Sequence, residues 1–567
     1  MAFNSLSFLF VFLPITVFGY WLLVRASKQS LSSIWLLLAS IAFYACASLR
    51  SLAIVLPSIL FDYAIAKAAI SLDHSNPRAR TSLIVIGVVA NVLFLGYFKY
   101  RNFFLENVDT LVGLNIRLES IVLPLGLSFL TFQKIGFLCD VYSERVTSTR
   151  LRDFMLFTLF FPRTVAGPIV RYKEVIPQLY RPSSESALSD VTVGFCLLSI
   201  GLFKKCVVGD GIGKFVTLAF DSNLSNPIVG PLDLTNAWLG VLAYTLQLYF
   251  DFSGYSDMAL GVARMVGIRL PMNFNSPLKA TSMVDYWGRW HITLTRFLTW
   301  HIYSPLVTRI TRARAARRRP LLRGQKSTAS AMVTLIAIPT GVTMLVSGIW
   351  HGAGWQFVIW GSLHGAYLTI NQVWRLIRPR FWSDPNSYER VMRPIGWLLT
   401  FTCVVVALVF FRSSSISDAL SILGSMSGLH GLTPHQFVLA RQAGFDFDWV
   451  GMAEPLGPAT WILAVLFWVL LAPNSLELLR RFHPALDFPL DVDKQVRSQT
   501  SEQIGKLRKT GRVTHLSTAL FRMWFACRKV GIAGVSLNRR TAIAVSIMFV
   551  LGAMAIGNGS GFLYGGF

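Results

Sequence analysis

Apolar runs of roughly bilayer-spanning length recur from one end of this 567-residue chain to the other, and no other feature restricts its fold as much. They lie near 6 to 24, 31 to 49, 51 to 71, 82 to 100, 120 to 139, 153 to 170, 190 to 208, 234 to 252, 329 to 348, 353 to 374, 394 to 411, 459 to 473 and 541 to 560. Backbone groups in hydrocarbon must be paired within their own segment, so runs of this length become helices. The expectation is an all-α polytopic membrane protein, a single integral domain over 1–567 with about 11 to 13 transmembrane or re-entrant helices. Composition agrees: 53% of residues are hydrophobic and 14% charged, against about 25% charged in soluble domains. An ordinary soluble enzyme and a disordered chain are both excluded. Leu123, Pro124, Leu125 and Gly126 interrupt one run, and Phe161, Pro162, Gly167 and Pro168 another. Helices break in this way where they line a cavity enclosed by protein.

Fifty-three Lys and Arg against 28 Asp and Glu give a net charge of +25. A basic balance raises nucleic acid as a partner, but here the surplus sits in short tracts between apolar runs, as in a multi-span protein that orients itself in a membrane. Membrane lipid is the expected partner and nucleic acid is not. The tract from Arg309 to Lys326 has no acidic residue and reads as cytoplasmic. Alternation then returns the chain inside at Arg375, Arg378 and Arg380, puts the loop holding Asp418, Asp446, Asp448 and Glu454 outside, and makes 474–540 a basic cytoplasmic insert before the last span. Trp350 and His351 fall toward the extracytoplasmic half. The run from Leu6 to Val24 has its basic residues, Arg25 and Lys28, behind it, and is expected to be a retained first span instead of a signal peptide. Cys46, Cys139, Cys196, Cys206, Cys403 and Cys527 show no Cys-x-x-Cys spacing, so neither a disulfide framework nor a metal site is expected.

Ionisable groups within apolar segments are costly, so each marks a candidate site. In Ser347-Gly348-Ile349-Trp350-His351-Gly352-Ala353-Gly354-Trp355, a histidine sits among small residues and tryptophans at a turn between apolar helices. It has the proton affinity of a general base for a hydroxyl or thiol; the alternative is a structural histidine at the membrane interface. From Asp285 to Thr295, a helix would pair Asp285 with Arg289 at i, i+4 and put His291 and Thr295 on one face. The plain reading is an amphipathic interfacial helix held by Trp287 and Trp290, with His291 as an added functional candidate. Asp251, Ser253, Tyr255 and Asp257 bring two carboxylates near hydroxyls. Helix capping by Asp251 and Ser253, or the lining of a polar cavity, is favoured over acid–base catalysis or metal binding. His364 falls on a different face from His351 in any continuous helix and reads as a packing or cavity-lining residue.

Five ordered segments carry a family resemblance: LPLGLSFLTFQKIGFLCDVY at 123 to 142, FPRTVAGPIVRY at 161 to 172, YTLQLYFDFSGYSDMALGVARMVGIRLPMNFNSPLKA at 244 to 280, DYWGRWHITLT at 285 to 295 and SGIWHGAGWQFVIWGSLHG at 347 to 365. With these the chain resembles the membrane-bound O-acyltransferases, in the branch of the alginate O-acetyltransferases and teichoic-acid D-alanyl transfer proteins. It departs from that branch at Thr299, Trp300 and His301. The resemblance implies a core over about 120–412 around a central tunnel, in a bacterial inner membrane. It implies His351 as the essential residue and His291 as a second catalytic residue that orients the thioester or stabilises charge. Asp251, Ser253, Tyr255, Trp287, Arg289, Trp290, Trp350 and His364 become tunnel-lining candidates. The implied donor is acetyl-CoA, without a metal. The implied acceptor is an exported polysaccharide, or an extracytoplasmic relay partner of the SGNH-hydrolase type. A transporter or lipid-linked-saccharide flippase, or an inactive scaffold of an export complex, stands as the alternative.

Overall fold

The structure is a computed structural model that describes residues 2–72, 76–113, 121–180, 186–220, 232–429, 431, 457–487 and 534–557. Most of the basic 474–540 tract, together with Asp446, Asp448, Glu454 and Cys527, lies outside the described residues. Those described form helices joined by turns, with no strand. Among the described residues seven helices are long and apolar enough to cross a membrane: Phe8–Arg25, Gln29–Ala47, Leu49–Ser71, Pro77–Val112, Ala187–Phe220, Ala329–His351 and Pro385–Arg412. Between and beneath them run Leu127–Tyr142, Leu234–Met265, Trp355–Ile377, Gly457–Leu471 and Arg539–Met554. The chain is an all-α, multi-pass membrane protein.

Leu234–Met265 is the axis of the fold. It extends the apolar run at 234 to 252 to 32 residues, is capped by the Asp233 carboxylate on the Asn236 N–H at 2.9 Å, and is buried almost continuously from Ala237 onward. Its partner, Ala187–Leu202, approaches it backbone to backbone. A Cβ built on Gly194 or Gly261 would lie 2.5 Å from the other's carbonyl oxygen; on Gly201 or Gly254 the distances are 2.6 and 2.8 Å. Small residues facing one another in this way let helices associate by close packing where no hydrophobic force separates helix from lipid.

The two predicted interruptions face each other. Gly126 takes the left-handed conformation, φ 65°, and a Cβ there would lie 2.4 Å from the Thr164 carbonyl oxygen. Hydroxyls pair the backbone groups that these breaks release. Tyr44 donates to the Leu125 carbonyl, Ser40 Oγ accepts the Phe161 N–H at 3.2 Å, and Thr164 Oγ1 donates to the carbonyls of Leu159 and Phe160.

Asp251 differs from the capping expectation, and Asp257 is placed like it. Both sit inside the long helix, and each faces a lysine: Lys205 lies 2.8 Å from Asp251 and 2.6 Å from Asp210, and Lys204 lies 2.8 Å from Asp257, which also accepts from Ser475 Oγ. Ser253 is likewise buried mid-helix and caps nothing. The carboxylates are needed to neutralise cations that the helix pair buries.

The glycine contact yields a stability prediction. Gly261→Ala meets backbone oxygen that cannot rotate away, and is expected to destabilise by about 1–3 kcal/mol, as overpacking does. Gly211, with nothing near its Cβ position, tolerates alanine, within about 0.5 kcal/mol. Thermal unfolding of the two variants in detergent checks the contrast.

Candidate active site

His351 is the last residue of Ile338–His351. The chain turns through Gly352 and Gly354 and folds back as Trp355–Ile377. The hairpin closes on glycine: a Cβ on Gly348 would lie 2.3 Å from the Phe357 carbonyl oxygen, and one on Gly352 would enter the Phe357 ring. A helix end leaves carbonyls without partners, and here two consecutive residues of a π-helical turn, Gly96–Tyr100, supply them. Lys99 Nζ donates to the carbonyls of Trp350 at 2.6 Å and His351 at 3.2 Å, and Tyr100 Oη donates to that of Ile349 at 2.7 Å.

Three buried histidines then alternate with tryptophans. The His351 ring lies 4.8 Å from Trp350 and 4.9 Å from Trp360, with Phe411 at 5.2 Å. Trp350 is 6.2 Å from His291, and Trp360 is 4.6 Å from His364. His351 and His364 therefore meet across a hairpin instead of along one helix. Trp350 Nε1, Trp360 Nε1 and Ser347 Oγ are buried and have no hydrogen-bond partner among the described residues.

His291 stands where one continuous helix was expected. Met283–Trp287 ends, and His291, at φ 43° and ψ 52°, caps a second helix, Ile292–Leu298. A non-glycine residue in that region is uncommon and persists where its surroundings over-determine it. Backbone bonds from Asn275 N to Arg289 O and from Ile292 N to Asn273 O, each 3.0 Å, fix it here. Trp287 and Trp290, each about 5% exposed, are core residues, which replaces the reading of an interfacial helix held by belt tryptophans.

Two partners of fixed polarity, an acceptor and a donor, set histidine tautomers. Asn273 Oδ1 accepts from the Thr293 N–H at 3.3 Å and lies 2.9 Å from Thr293 Oγ1, whose lone pair takes the Ile169 N–H at 3.0 Å. His291 Nδ1, 3.0 Å from the same oxygen, must donate to it, which leaves Nε2 as the acceptor nitrogen. The indole N–H of Trp287 donates at 3.3 Å to His364 Nδ1, so His364 is neutral with its proton on Nε2.

Of the residues singled out in the sequence, His351, His291, His364, Trp287 and Trp350 come together, and Trp290 packs beside them on Phe274 and Tyr286. Asp251 stays with Lys205, and the Tyr255 ring packs 5.0 Å from Phe3. Arg289 turns to Asp285 at 2.6 Å, the pair the spacing indicated, and Ser253 is buried within the long helix. Lys99, Tyr100, Asn273 and Thr293 went unnoticed in the sequence; an intramembrane lysine is itself a site signal, and Lys99 ends an apolar run. Also missed was a narrow cleft lined by Gly136, Arg171, Thr293, Arg296, Trp300 and His301. Its floor, Phe132 on Phe297 at 4.5 Å, stacks on Trp350 at 5.1 Å.

A family model for the membrane-bound O-acyltransferases matches residues 140–318. The chain is 35% identical to the peptidoglycan O-acetyltransferase of Helicobacter pylori, over 76% of its own length and 81% of that protein. It is 34% identical to the probable alginate O-acetylase AlgI of Pseudomonas aeruginosa, over 75% of each. The chain belongs to the membrane-bound O-acyltransferase family. A teichoic acid D-alanyltransferase of Streptococcus thermophilus is more distant, at 27% identity over 52% of this chain and 69% of that protein. As a membrane-bound O-acyltransferase the chain is an enzyme that uses an acyl donor; of the three histidines, His291 lies within the matched residues 140–318.

Asn273→Leu is expected to leave the His291 Nδ1–H and the Thr293 N–H unpaired and buried, at about 1–3 kcal/mol for each. Lys99→Met is expected to cost about 1.5–3 kcal/mol by removing the charged donor from the His351 helix end. Lys99→Arg keeps the charge and should retain most of that stability, as unfolding measurements on the three variants can show.

Proposed function

We propose that this membrane-bound O-acyltransferase moves an acetyl group from a cytoplasmic thioester, acetyl-CoA, to a hydroxyl on the far side of the membrane. The observation that carries the reading is His351, held at a tied-off helix end between two tryptophans beside polar atoms without partners. His351 takes the proton of the acceptor hydroxyl. The oxygen forms a bond to the thioester carbonyl carbon, the C–S bond breaks, and the thiolate leaves with that proton as free thiol. The indole N–H groups of Trp350 and Trp360 suit the oxygen on which charge develops. With Nδ1 donating to Asn273, His291 Nε2 accepts a hydrogen bond and orients the acceptor hydroxyl, instead of stabilising negative charge.

The donor enters at the cleft of Arg171, Arg296 and Trp300. Arg171 lies 3.1 Å from the centre of the Trp300 ring, a cation on an aromatic face suited to a phosphate-bearing nucleotide, and Arg296, 5.0 Å from the same ring, is held in place by Glu174 at 2.9 Å and Asp487 at 2.8 Å. The chain runs from this cleft into the Arg309 to Lys326 tract, which the positive-inside rule assigns to the cytoplasm. Relatives named for peptidoglycan, alginate and teichoic acid point to a saccharide-bearing polymer as acceptor, reached directly or through an SGNH-type relay protein. The acetyl-named relatives are the more similar, which favours acetyl over D-alanyl.

Purified protein given labelled acetyl-CoA and an acceptor tests the chemistry. His351→Ala is expected to lower transfer by about 10²–10⁴-fold, the range of general-base contributions; transfer at the parent rate would refute the assignment. Single cysteines between Arg312 and Lys326 should react only with reagent on the cytoplasmic side. Labelling from outside would reverse the direction of transfer.

A further inference from the structure

A cleft of about 720 Å³ opens between Trp355–Ile377 and Pro385–Arg412. Its walls are of two kinds. Ile370 and Leu399, 66% and 57% exposed, form an apolar flank. At the other end stand Arg375, Arg378 and Arg393, with Glu389 as the one acidic lining residue.

The rim is pre-assembled. Trp374 Nε1 donates to Tyr388 Oη at 2.7 Å, and the Arg378 guanidinium lies 4.6 Å from the Tyr388 ring. Phe381 stacks on Trp374 at 6.1 Å, and Trp382 packs against Tyr388 at 5.6 Å. Exposed tryptophans and tyrosines collect at headgroup depth in a membrane protein, so this collar sets the depth of the three arginines. None of the three is in an ion pair among the described residues, whereas Arg80, Arg152, Arg264 and Arg289 all are.

We propose that this cleft is a binding site for an anionic phospholipid, with its phosphate on Arg375, Arg378 and Arg393 and an acyl chain along Ile370 and Leu399. Guanidinium groups offer the forked donors that phosphate oxygens accept, and a basic pocket between membrane helices at headgroup level is where anionic headgroups lodge. A soluble phosphate compound would use the arginines and leave the apolar flank unused. A neutral phospholipid would use the flank and leave the charge unanswered. The cleft ends inward at Tyr367, whose ring is 6.0 Å from His364, so a seated acyl chain buttresses the hairpin that carries His351.

The test uses the full-length protein, delipidated in detergent, with native mass spectrometry and thermal shift as readouts. Phosphatidylglycerol is expected to bind and raise the melting temperature, whereas phosphatidylcholine with the same chains and adenosine 3′,5′-bisphosphate are not. The triple variant Arg375→Gln, Arg378→Gln, Arg393→Gln should bind phosphatidylglycerol at least about tenfold more weakly. A control that removes equal charge nearby, Arg312→Gln, Arg317→Gln, Arg319→Gln, should bind as the parent does. Equal losses in the two triple variants would reduce the effect to general surface charge and overturn the site. Unchanged binding in the first variant, or preferential binding of the soluble bisphosphate, would overturn it too.

Discussion

The position of His351 depends on a helix whose end is buried within the protein, with Trp350 and His351 almost fully covered. The last carbonyls of a helix have no partner within it, and burying them unpaired costs free energy. Lys99 and Tyr100 answer three of them in succession, at Ile349, Trp350 and His351. With the end tied off, Gly352 can leave the helix in extended conformation and the next helix can fold back at once. The glycines at 348 and 361 let the two backbones close. A cation at a helix C-terminus also opposes the helix dipole, so one side chain answers the hydrogen-bond and the electrostatic requirement together.

The three histidines share burial and aromatic neighbours, yet their partners make them chemically different. An indole N–H can only donate, so the nitrogen of His364 that faces Trp287 must accept. A carbonyl oxygen can only accept, so the nitrogen of His291 that faces Asn273 must donate. The protein therefore presents the same ring nitrogen, Nε2, in opposite roles at its two flanking histidines, as a donor on His364 and as an acceptor on His291. Asn273 holds that arrangement with help from Thr293, which also reaches the broken segment at Ile169. The cleft of Arg171 and Trp300 and the His291 network share this threonine.

Punctuation residues made part of this architecture legible. Pro124, Gly126, Pro162 and Gly167 mark the breaks, and Gly352 and Gly354 mark the hairpin that presents His351, because proline and glycine act locally. The Asp285–Arg289 pair was equally local. What escaped was carried by contacts distant in sequence. Lys99 meets the His351 helix end across some 250 residues, and no periodicity announces such a pairing. The tryptophans at 287 and 290 resemble belt residues until their surroundings are known. Asp251 looked like a cap because its lysine, Lys205, lies on another helix.

Those lysines bear on the site through helix register. Glycine-to-glycine packing between Ala187–Leu202 and Leu234–Met265 repeats every heptad, so packing alone would nearly tolerate a slip by one repeat, about 10 Å at 1.5 Å per residue. Buried ion pairs do not tolerate it. A slip would strand Asp251 and Asp257 from Lys205 and Lys204 in a low-dielectric interior, and register selection is the best-attested use of buried charge. The long helix also carries Phe252, 4.8 Å from the His291 ring, and Ser256, which Asn273 Nδ2 approaches at 3.5 Å. Charges that take no part in the proposed transfer thus fix the height at which Phe252 and Ser256 meet the histidine network, and a sequence without Lys204 and Lys205 would lose that alignment before it lost the fold.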